Sequence, residues 1–253
     1  MQFAKNGHST LSTVPRHLAI IMDGNHRWAR QQGLPGSVGH RVGAKNVRPI
    51  AEYCADLGVT YLTLFAFSTE NWARPKHEID LLFELIRSTL NQNIQELHER
   101  DTRVRYIGNL SRFPLSLRKL LHESEMKTAN NRSLTLSIAL NYGGRSEIAQ
   151  ATRRIGLAVQ NGELDAGCID ENTIEDFLDS DGIPNPDFCI RTGGDQRLSN
   201  FLLWQLAYTE LYFSKTYWPD FSKEELVKAI RDYGSRDRRF GRRLEQEVLP
   251  LAN

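Results

Sequence analysis

The sequence predicts a single α/β domain with a mostly parallel central sheet flanked by helices, and three observations predict it. Six short apolar runs bounded by turn residues have the length and composition of buried strands. Helical patterns lie between them, and strands that alternate with helices favour a parallel sheet with helices on both faces. The 253 residues allow one large domain or two small ones, and the absence of an internal repeat or long linker favours a single domain.

The elements follow in order along the chain. The predicted strands cover residues 18–22, 59–67, 104–108, 134–141, 188–192 and 210–214. The predicted helices cover residues 42–57, 79–97, 114–129, 145–161, 171–179, 200–207 and 222–233. Apolar residues at helical spacing, clearest over 79–97, are the basis for these helices.

Composition restricts the classes of function. The net charge of +1 creates no general attraction for nucleic acid, so local clusters must bind any anion. The cysteines Cys54, Cys168 and Cys189 lie far apart without zinc-ligand spacing, which fits a reducing cytoplasm. No run approaches the roughly 20 apolar residues of a membrane span, so we expect any contact with lipid at the membrane surface.

Polar segments follow three of the predicted strands. They cover residues 23–28, 68–75 and 192–200. In open α/β sheets, ligands bind at the carboxyl edge of the strands. The convergence of these segments is therefore the strongest indication of a site.

Asp23 opens the first of these segments. A carboxylate there suits Mg²⁺, which takes few protein oxygens and shares phosphate oxygens. Gly24 permits close approach of a ligand, Asn25 and Arg27 add donors, and a following helix start offers N–H groups to phosphate. The alternatives are a turn-forming Asp-Gly with a solvated arginine, and a phosphatase nucleophile. Asn25 weakens the second, because such enzymes usually carry another Asp there.

A second anion-binding set follows the fifth predicted strand. Arg191, Arg197 and Ser199, spaced by a Gly-Gly turn, suit a diphosphate. We expect Asn200 to cap a helix that begins at Phe201. The alternative is a flexible turn with surface arginines.

Some candidates stay open at this point. His40 is a cap, a packed side chain or a catalytic group, and Trp28 and Trp72 are either core or pocket walls. The basic cluster Arg236 to Arg243 is by default solvated, although it suits contact with anionic lipid.

Longer motifs in the chain resemble the cis-prenyltransferase family. They are HLAIIMDGNHRWA (17–29), GH (39–40), TLFAFSTENWARP (63–75), NYGGRSEI (141–148), IRTGGDQRLSNFLLWQLAYTELYF (190–213) and WPDF (218–221). They occur in family order over about residues 17 to 240. The resemblance divides the chain into a frayed N-terminal segment, 1–16, a catalytic domain, 17–243, and a C-terminal tail, 244–253.

The resemblance implies an enzyme that condenses isopentenyl diphosphate repeatedly onto an allylic diphosphate, usually farnesyl diphosphate, with cis geometry. It implies a homodimer, a hydrophobic tunnel with one wall from residues 79–97, Mg²⁺ as cofactor, and peripheral membrane contact through the lipid product. A short-chain or irregular-coupling synthase and a non-catalytic partner subunit are the alternatives. Retention of the diphosphate-binding segments argues against the partner subunit.

The resemblance also implies roles for individual residues. Asp23 and Glu210 are expected to hold the metal, and Asn71 is expected to assist proton removal. The expected substrate-binding residues are Gly24, Asn25, His26, Arg27, Trp28, His40, Ser68, Thr69, Glu70, Trp72, Arg74, Arg191, Arg197, Leu198 and Ser199.

Four positions depart from the family pattern. His26 stands where a small or basic residue is more usual, and Gly36 stands where some relatives place an arginine near the allylic diphosphate. Asp195 replaces a more usual Glu, and Gln196 stands where some relatives have a metal-binding His. These departures bear on the metal and allylic contacts.

Overall fold

One parallel sheet forms the centre of the protein. The structure is a computed structural model and describes residues 13–236. Six strands lie in the order β3-β4-β2-β1-β5-β6, and every neighbouring pair is parallel. The strands are β1 (His17–Ile21), β2 (Tyr61–Ser68), β3 (Thr102–Ile107), β4 (Leu134–Tyr142), β5 (Phe188–Arg191) and β6 (Glu210–Phe213). The predicted α/β class is confirmed, and the sheet is wholly parallel within the described residues.

Helices connect the strands and cover both faces of the sheet. They are α1 (Asn25–Gln31), α2 (Gly36–Asp56), α3 (Lys76–Glu99), α4 (Leu115–Thr128), α5 (Gly144–Gln160), α6 (Glu171–Asp176) and α7 (Lys223–Gly234). All six predicted strands and six of the seven predicted helices are present. Helix α2 begins at residue 36 instead of the predicted 42, because Gly39 and Gly43 allow its first turns to pack closely against α1.

The predicted helix over 200–207 is wrong. Consecutive turns occupy this segment, and Ser199, Asn200 and Leu202 have φ angles of 51°, 64° and 42°. Such left-handed residues interrupt a right-handed helix. Asn200 instead caps α5, where its Oδ1 accepts a 2.9 Å hydrogen bond from the Arg145 N–H. The apolar spacing that suggested a helix reflects burial of Phe201 and its neighbours against the sheet.

Alternate residues of each strand enter different layers of the core. Leu18 and Ile20 pack with residues of α2 and α7, whereas Ala19 and Ile21 pack with the 201–206 segment on the other face. Because both faces are buried, the strand reads as a continuous apolar run.

A third apolar cluster lies under α3 and α4 and includes Trp72. Its ring makes edge contacts with Phe67 and Phe83 at centroid distances of 5.4 and 5.7 Å. Its Nε1–H donates a 2.7 Å hydrogen bond to Asn141 Oδ1. Trp72 is therefore a half-buried residue that packs against this cluster and anchors the loop after β2.

The sheet reverses its winding direction between β1 and β5. Strand β1 connects to β2 on one side, while β5 pairs with β1 on the other, with Ile21 opposite Arg191. Ligands of open α/β sheets bind in the crevice at such a switch point. The fold therefore places the segments after β1 and β5 side by side.

No helix among residues 13–236 is long and apolar enough to cross a membrane. The predictions for residues 1–12, for the basic cluster beyond Arg236 and for the tail 244–253 lie outside the described residues.

Candidate active site

A charged cleft of about 790 Å³ lies at the carboxyl edge of the sheet. Its lining residues are Asp23, Arg27, Phe65, Ser68, Glu70, Asn71, Arg74, Arg191, Asp195, Arg197, Ser199 and Asn200. All three polar segments that follow predicted strands contribute to it. The structure thus brings together the segments whose convergence the sequence indicated.

Three arginines and two carboxylates form a connected network in the charged cleft. Asp23 Oδ2 lies 2.8 Å from Arg191 and 3.1 Å from Arg27. Asp195 Oδ2 lies 3.0 Å from Arg27 and 2.9 Å from Arg197. Guanidinium groups outnumber carboxylates in this network, so it can accept an additional anion.

The carboxylate of Asp23 is held in its ionised form. Burial by itself would raise the pKa of Asp23, but the hydrogen bond from Arg191 and the charges of Arg191 and Arg27 outweigh burial. The net effect is a pKa below the usual value for an aspartate.

Thr192 fixes the backbone on which Asp23 sits. Its Oγ1 accepts a 2.9 Å hydrogen bond from the Asp23 N–H and donates a 2.7 Å hydrogen bond to the Asp23 carbonyl. Gly193 has a φ of 87°, and a Cβ there would lie 2.9 Å from an Arg27 nitrogen. Thr192 was not among the predicted site residues, although its position between a strand-end arginine and a glycine turn was an available signal.

Arg191 organises the second anion-binding segment from a buried position. Its side chain is 5% exposed, and it donates to the carbonyl of Arg197 and, at 2.7 Å, to Ser199 Oγ. Its Nε–H is buried without a hydrogen-bond partner. A guanidinium fixed in this way at the wall of the charged cleft suits a diphosphate oxygen.

An apolar cavity of about 280 Å³ adjoins the charged cleft. Both share Asp23, Phe65, Ser68, Asn71 and Arg74. Its apolar walls come from α2, α3 and the sheet and include Val47, Leu64, Phe67, Leu82, Leu85, Ile86, Leu90, Leu97, Leu136, Ile138 and Leu140. The apolar stripe of 79–97 therefore lines a cavity in addition to packing in the core.

Asn25 and His40 lie where α1 and α2 meet the apolar cavity. Asn25 Nδ2 donates to the Met22 carbonyl at 3.1 Å, while its Oδ1 is buried without a hydrogen-bond partner. Burial, aided by the charge of Arg74, lowers the pKa of His40 to about 4. His40 is therefore neutral near pH 7. A small side pocket joins His26, His40, Arg41 and Arg74.

The loop after β2 presents polar groups at the junction of the charged cleft and the apolar cavity. Asn71 Oδ1 accepts a 3.0 Å hydrogen bond from the Ser68 N–H, which leaves its NH₂ group as a donor. Glu70 Oε1 accepts a 2.9 Å hydrogen bond from Asn200 and so connects this loop to the segment after β5.

Some predicted site residues do not line the charged cleft, the apolar cavity or the side pocket. These are Gly24, Trp28, Thr69, Trp72 and Leu198. Leu198 packs against the second core cluster. Gly24 has a φ of 101°, and a Cβ there would lie 2.5 Å from the Tyr217 ring. The packing of Tyr217 therefore explains the glycine at position 24 without a contact to substrate. The Tyr217 ring also lies 5.6 Å from the Arg27 guanidinium.

Within one chain, the carboxylates of Glu210 and Asp23 do not lie in the same site. Glu210 begins β6 opposite Phe188, so it lies at the amino end of the strands, whereas Asp23 follows the carboxyl end of β1. Its Oε2 accepts a 2.8 Å hydrogen bond from Arg236. Residues 13–236 contain no cluster of three His, Cys, Asp or Glu side chains arranged for a metal ion.

The carboxylates of Asp23 and Asp195 nevertheless fit Mg²⁺. Mg²⁺ is usually held by one or two carboxylates together with substrate phosphates. Both side chains contact the same Arg27 nitrogen and both are about a quarter exposed, at 27%. A diphosphate that binds the arginines would release carboxylate oxygens for a cation.

A charged cleft that opens into an apolar cavity defines a protein that binds a molecule with an anionic head and an apolar tail. The family described as "Putative undecaprenyl diphosphate synthase" matches residues 21–241. The chain belongs to this family, the cis-prenyltransferases.

Similar proteins agree with this assignment. An isoprenyl transferase of Agrobacterium fabrum is 49% identical over 95% of this chain and 98% of its own length. The ditrans,polycis-undecaprenyl-diphosphate synthase, (2E,6E)-farnesyl-diphosphate specific, of Pseudomonas putida is 51% identical over 93% of this chain and 94% of its own.

Solved structures share the fold. Lavandulyl diphosphate synthase from Lavandula x intermedia, in complex with dimethylallyl diphosphate, has a TM-score of 0.88 at 38% identity and covers 90% of this chain and 98% of its own. A "probable undecaprenyl diphosphate synthase" from Campylobacter jejuni has a TM-score of 0.75 at 35% identity and covers 90% and 99%.

Proposed function

We propose that the protein condenses isopentenyl diphosphate repeatedly onto an allylic diphosphate, such as farnesyl diphosphate, to form a long cis-polyprenyl diphosphate. The proposed product is undecaprenyl diphosphate, a lipid carrier precursor for cell-wall synthesis. One observation carries the proposal: the charged cleft and the apolar cavity share Asp23, Ser68, Asn71 and Arg74. The names of the relatives from Pseudomonas and Campylobacter support this product.

The two diphosphates would occupy different parts of this site. We assign the allylic diphosphate to Asn25, Arg27, His40 and the His26 side pocket, beside the mouth of the apolar cavity. We assign isopentenyl diphosphate to Arg191, Arg197 and Ser199. Asp23, Ser68, Asn71 and Arg74, which line both the charged cleft and the apolar cavity, would then lie between the two substrates. They would hold the double bond of isopentenyl diphosphate towards the allylic carbon, and this orientation lowers the barrier to reaction.

The arginines would stabilise the charge that develops as the allylic C–O bond breaks. Arg27 and the buried Arg191 are already fixed by Asp23, so little reorganisation is needed. Mg²⁺, held by Asp23 with Asp195 as a second carboxylate, would add Lewis-acid stabilisation of the leaving diphosphate. Glu210 has no place in this metal site within one chain.

Asn71 would act by orientation. Its Oδ1 is occupied by the Ser68 N–H, so its NH₂ group is the free partner for a diphosphate oxygen. That contact would hold a diphosphate oxygen near the proton to be removed after the new C–C bond forms. The growing tail enters the apolar cavity, where burial contributes about 0.8 kcal/mol per CH₂.

We further propose a cytoplasmic homodimer whose catalytic domain spans 17–243 and which contacts the membrane peripherally through its product. The family match over residues 21–241 supports the domain limits. Tyr208, 81% exposed, and Leu157, 49% exposed, offer apolar contact area for a second copy. Sedimentation of the purified chain tests the dimer, and a monomer at working concentrations would contradict it.

The reaction product tests the proposed activity. Purified protein is incubated with farnesyl diphosphate, labelled isopentenyl diphosphate and Mg²⁺, with EDTA in a parallel sample, and the products are resolved by length. We expect a narrow, metal-dependent distribution of long products.

Short products would favour the second candidate, a short-chain or irregular-coupling synthase. The likeness to lavandulyl diphosphate synthase supports that candidate, since proteins named for different products share this fold. Absence of product with several primers would favour a non-catalytic partner subunit.

A further inference from the structure

The apolar cavity extends from the charged cleft along the space between α2 and α3. Asp23 and Arg74 lie at its charged end, and Val47, Leu97 and Leu136 lie at its far end. Leu136 pairs with Leu62, which pairs with Leu18, three residues before the end of β1. At about 3.3 Å per residue, the cavity reaches roughly 10 Å below the carboxyl edge of the strands.

This cavity is too small for a long product. Its volume of about 280 Å³ lies just below the roughly 300–1,000 Å³ typical of pockets for drug-sized ligands. A polyprenyl chain grown by many five-carbon additions exceeds that size. If the proposed function holds, on which this inference rests, the far end must open during elongation.

Charged side chains join α2 to α3 beside the far end. We call Arg48, Glu52, Glu96 and Arg100 the charged seam. Arg48 lines the cavity and pairs with Glu96 on α3. Within α2, Glu52 Oε1 lies 3.8 Å from Arg48 Nε. The same oxygen lies 3.5 Å from Nε of Arg100, which directly follows α3, so ion pairs cross between the helices at two points, Arg48–Glu96 and Glu52–Arg100.

The charged seam is suited to opening. The side chains of Arg48 and Glu96 are 37% and 46% exposed, and exposed ion pairs of this kind contribute little to stability. When the pair separates, both charged groups can remain in water. Apolar walls of α2 and α3 would then accept the emerging tail.

We propose that the Arg48–Glu96 pair is a gate at the far end of the cavity and that it sets product length. Each extension beyond the cavity must separate α2 from α3 against this pair. The pair therefore adds a barrier to elongation at the length where the tail reaches it. Without the pair, elongation continues further before the product leaves.

Product length in a double-mutant cycle tests this gate. Arg48→Ala and Glu96→Ala are each expected to shift the main product upward by at least one five-carbon unit. The double variant is expected to shift it no further than either single variant, because both remove the same interaction. Arg48→Lys, which keeps the charge, is expected to stay close to the wild-type distribution. Lys119→Ala, which removes an exposed ion pair with Glu123 on α4, is the matched control.

Unchanged or shorter products in both single variants would overturn the gate, as would additive shifts in the double variant. A second measurement distinguishes loss of the gate from a general loss of activity. In Glu96→Ala, the rate of the first condensation onto farnesyl diphosphate should stay within about twofold of wild type, since Glu96 lines neither the charged cleft nor the apolar cavity. Failure of the wild type to form any polymer would overturn the proposed function itself, whereas polymer of unaltered length in the variants would overturn the gate alone.

Discussion

The imidazole of His26 occupies the space that a side chain at position 36 would need. A Cβ on Gly36 would lie 2.3 Å from His26 Cδ2 and 2.8 Å from His26 Nε2. Two departures from the family pattern are therefore one structural feature. The ring of His26 lies in the side pocket, in the space that a side chain at position 36 would fill.

Gly36→Ala tests this relationship. The His26 ring is exposed and can rotate, so we expect the free energy of unfolding to change by less than about 1 kcal/mol. The displaced ring should raise the Michaelis constant for the allylic diphosphate, as should His26→Ala. The double variant should be no worse than His26→Ala alone. Gly156→Ala, in open space on α5, is the control. Independent, additive effects of the two changes would contradict the shared space.

Asp23→Asn is expected to lower turnover by roughly a hundredfold or more, because it removes a preorganised charge next to the leaving diphosphate. Steady-state kinetics at saturating Mg²⁺ measures this loss, and circular dichroism checks that the variant is folded. Near-normal turnover would remove Asp23 from the proposed site.

Thr192→Val is expected to destabilise the protein by about 0.5–1.5 kcal/mol for each lost hydrogen bond. It removes the Oγ1 partner of the Asp23 N–H and of the Asp23 carbonyl, although both keep a backbone partner, the Ile21 carbonyl and the Trp218 N–H. Thr192→Ser keeps the hydroxyl and should lose less stability and less turnover. Urea unfolding of the two variants compares them directly. Equal losses would mean that the hydroxyl contributes no more than the threonine methyl group and would contradict its role in fixing Asp23.

Arg197→Ala is expected to raise the Michaelis constant for isopentenyl diphosphate by about tenfold or more, the value of a charge-assisted hydrogen bond. Its side chain is 62% exposed, so stability should hardly change. Initial rates with each substrate varied in turn provide the measurement. If only the Michaelis constant for the allylic substrate rose, the two diphosphate assignments would have to be exchanged.

His17 should make stability depend on pH. Its Nδ1 lies 2.6 Å from the Pro184 carbonyl and its Nε2 lies 2.8 Å from Thr63 Oγ1, while burial lowers its pKa to about 4. The unfolded chain binds this proton below about pH 6.5. The stabilisation is therefore complete above pH 6.5 and is lost as pH falls towards 4.

The loss from His17 is up to about 3 kcal/mol. Urea unfolding between pH 7 and 4 measures it. His17→Gln should make the pH dependence shallower without removing it, because burial also lowers the pKa of His40 to about 4. His77→Gln, at an exposed position on α3, should leave the pH dependence unchanged. If the free energy of unfolding of His17→Gln fell as steeply with pH as that of the wild type, the pH dependence would come from other groups.

Local patterns in the sequence predicted most of the fold. All six strands are short apolar runs, and α3 follows from its apolar stripe, because periodicity records which side of each element is buried. The strand-end rule also placed Asp23, Asn71 and Arg191 at one edge before any contact was known.

By itself, then, the sequence determined the α/β class, the strand-end segments and the family resemblance. Only the tertiary structure decided that residues 200–207 form turns, that Asn200 caps α5, and that Glu210 lies at the opposite end of the sheet from Asp23. The tertiary structure alone also showed that the His26 ring lies against Gly36 and that Arg48 forms an ion pair with Glu96. The physical reason is that periodicity is a local property of the chain, whereas these contacts join segments whose distance depends on how the whole sheet is ordered.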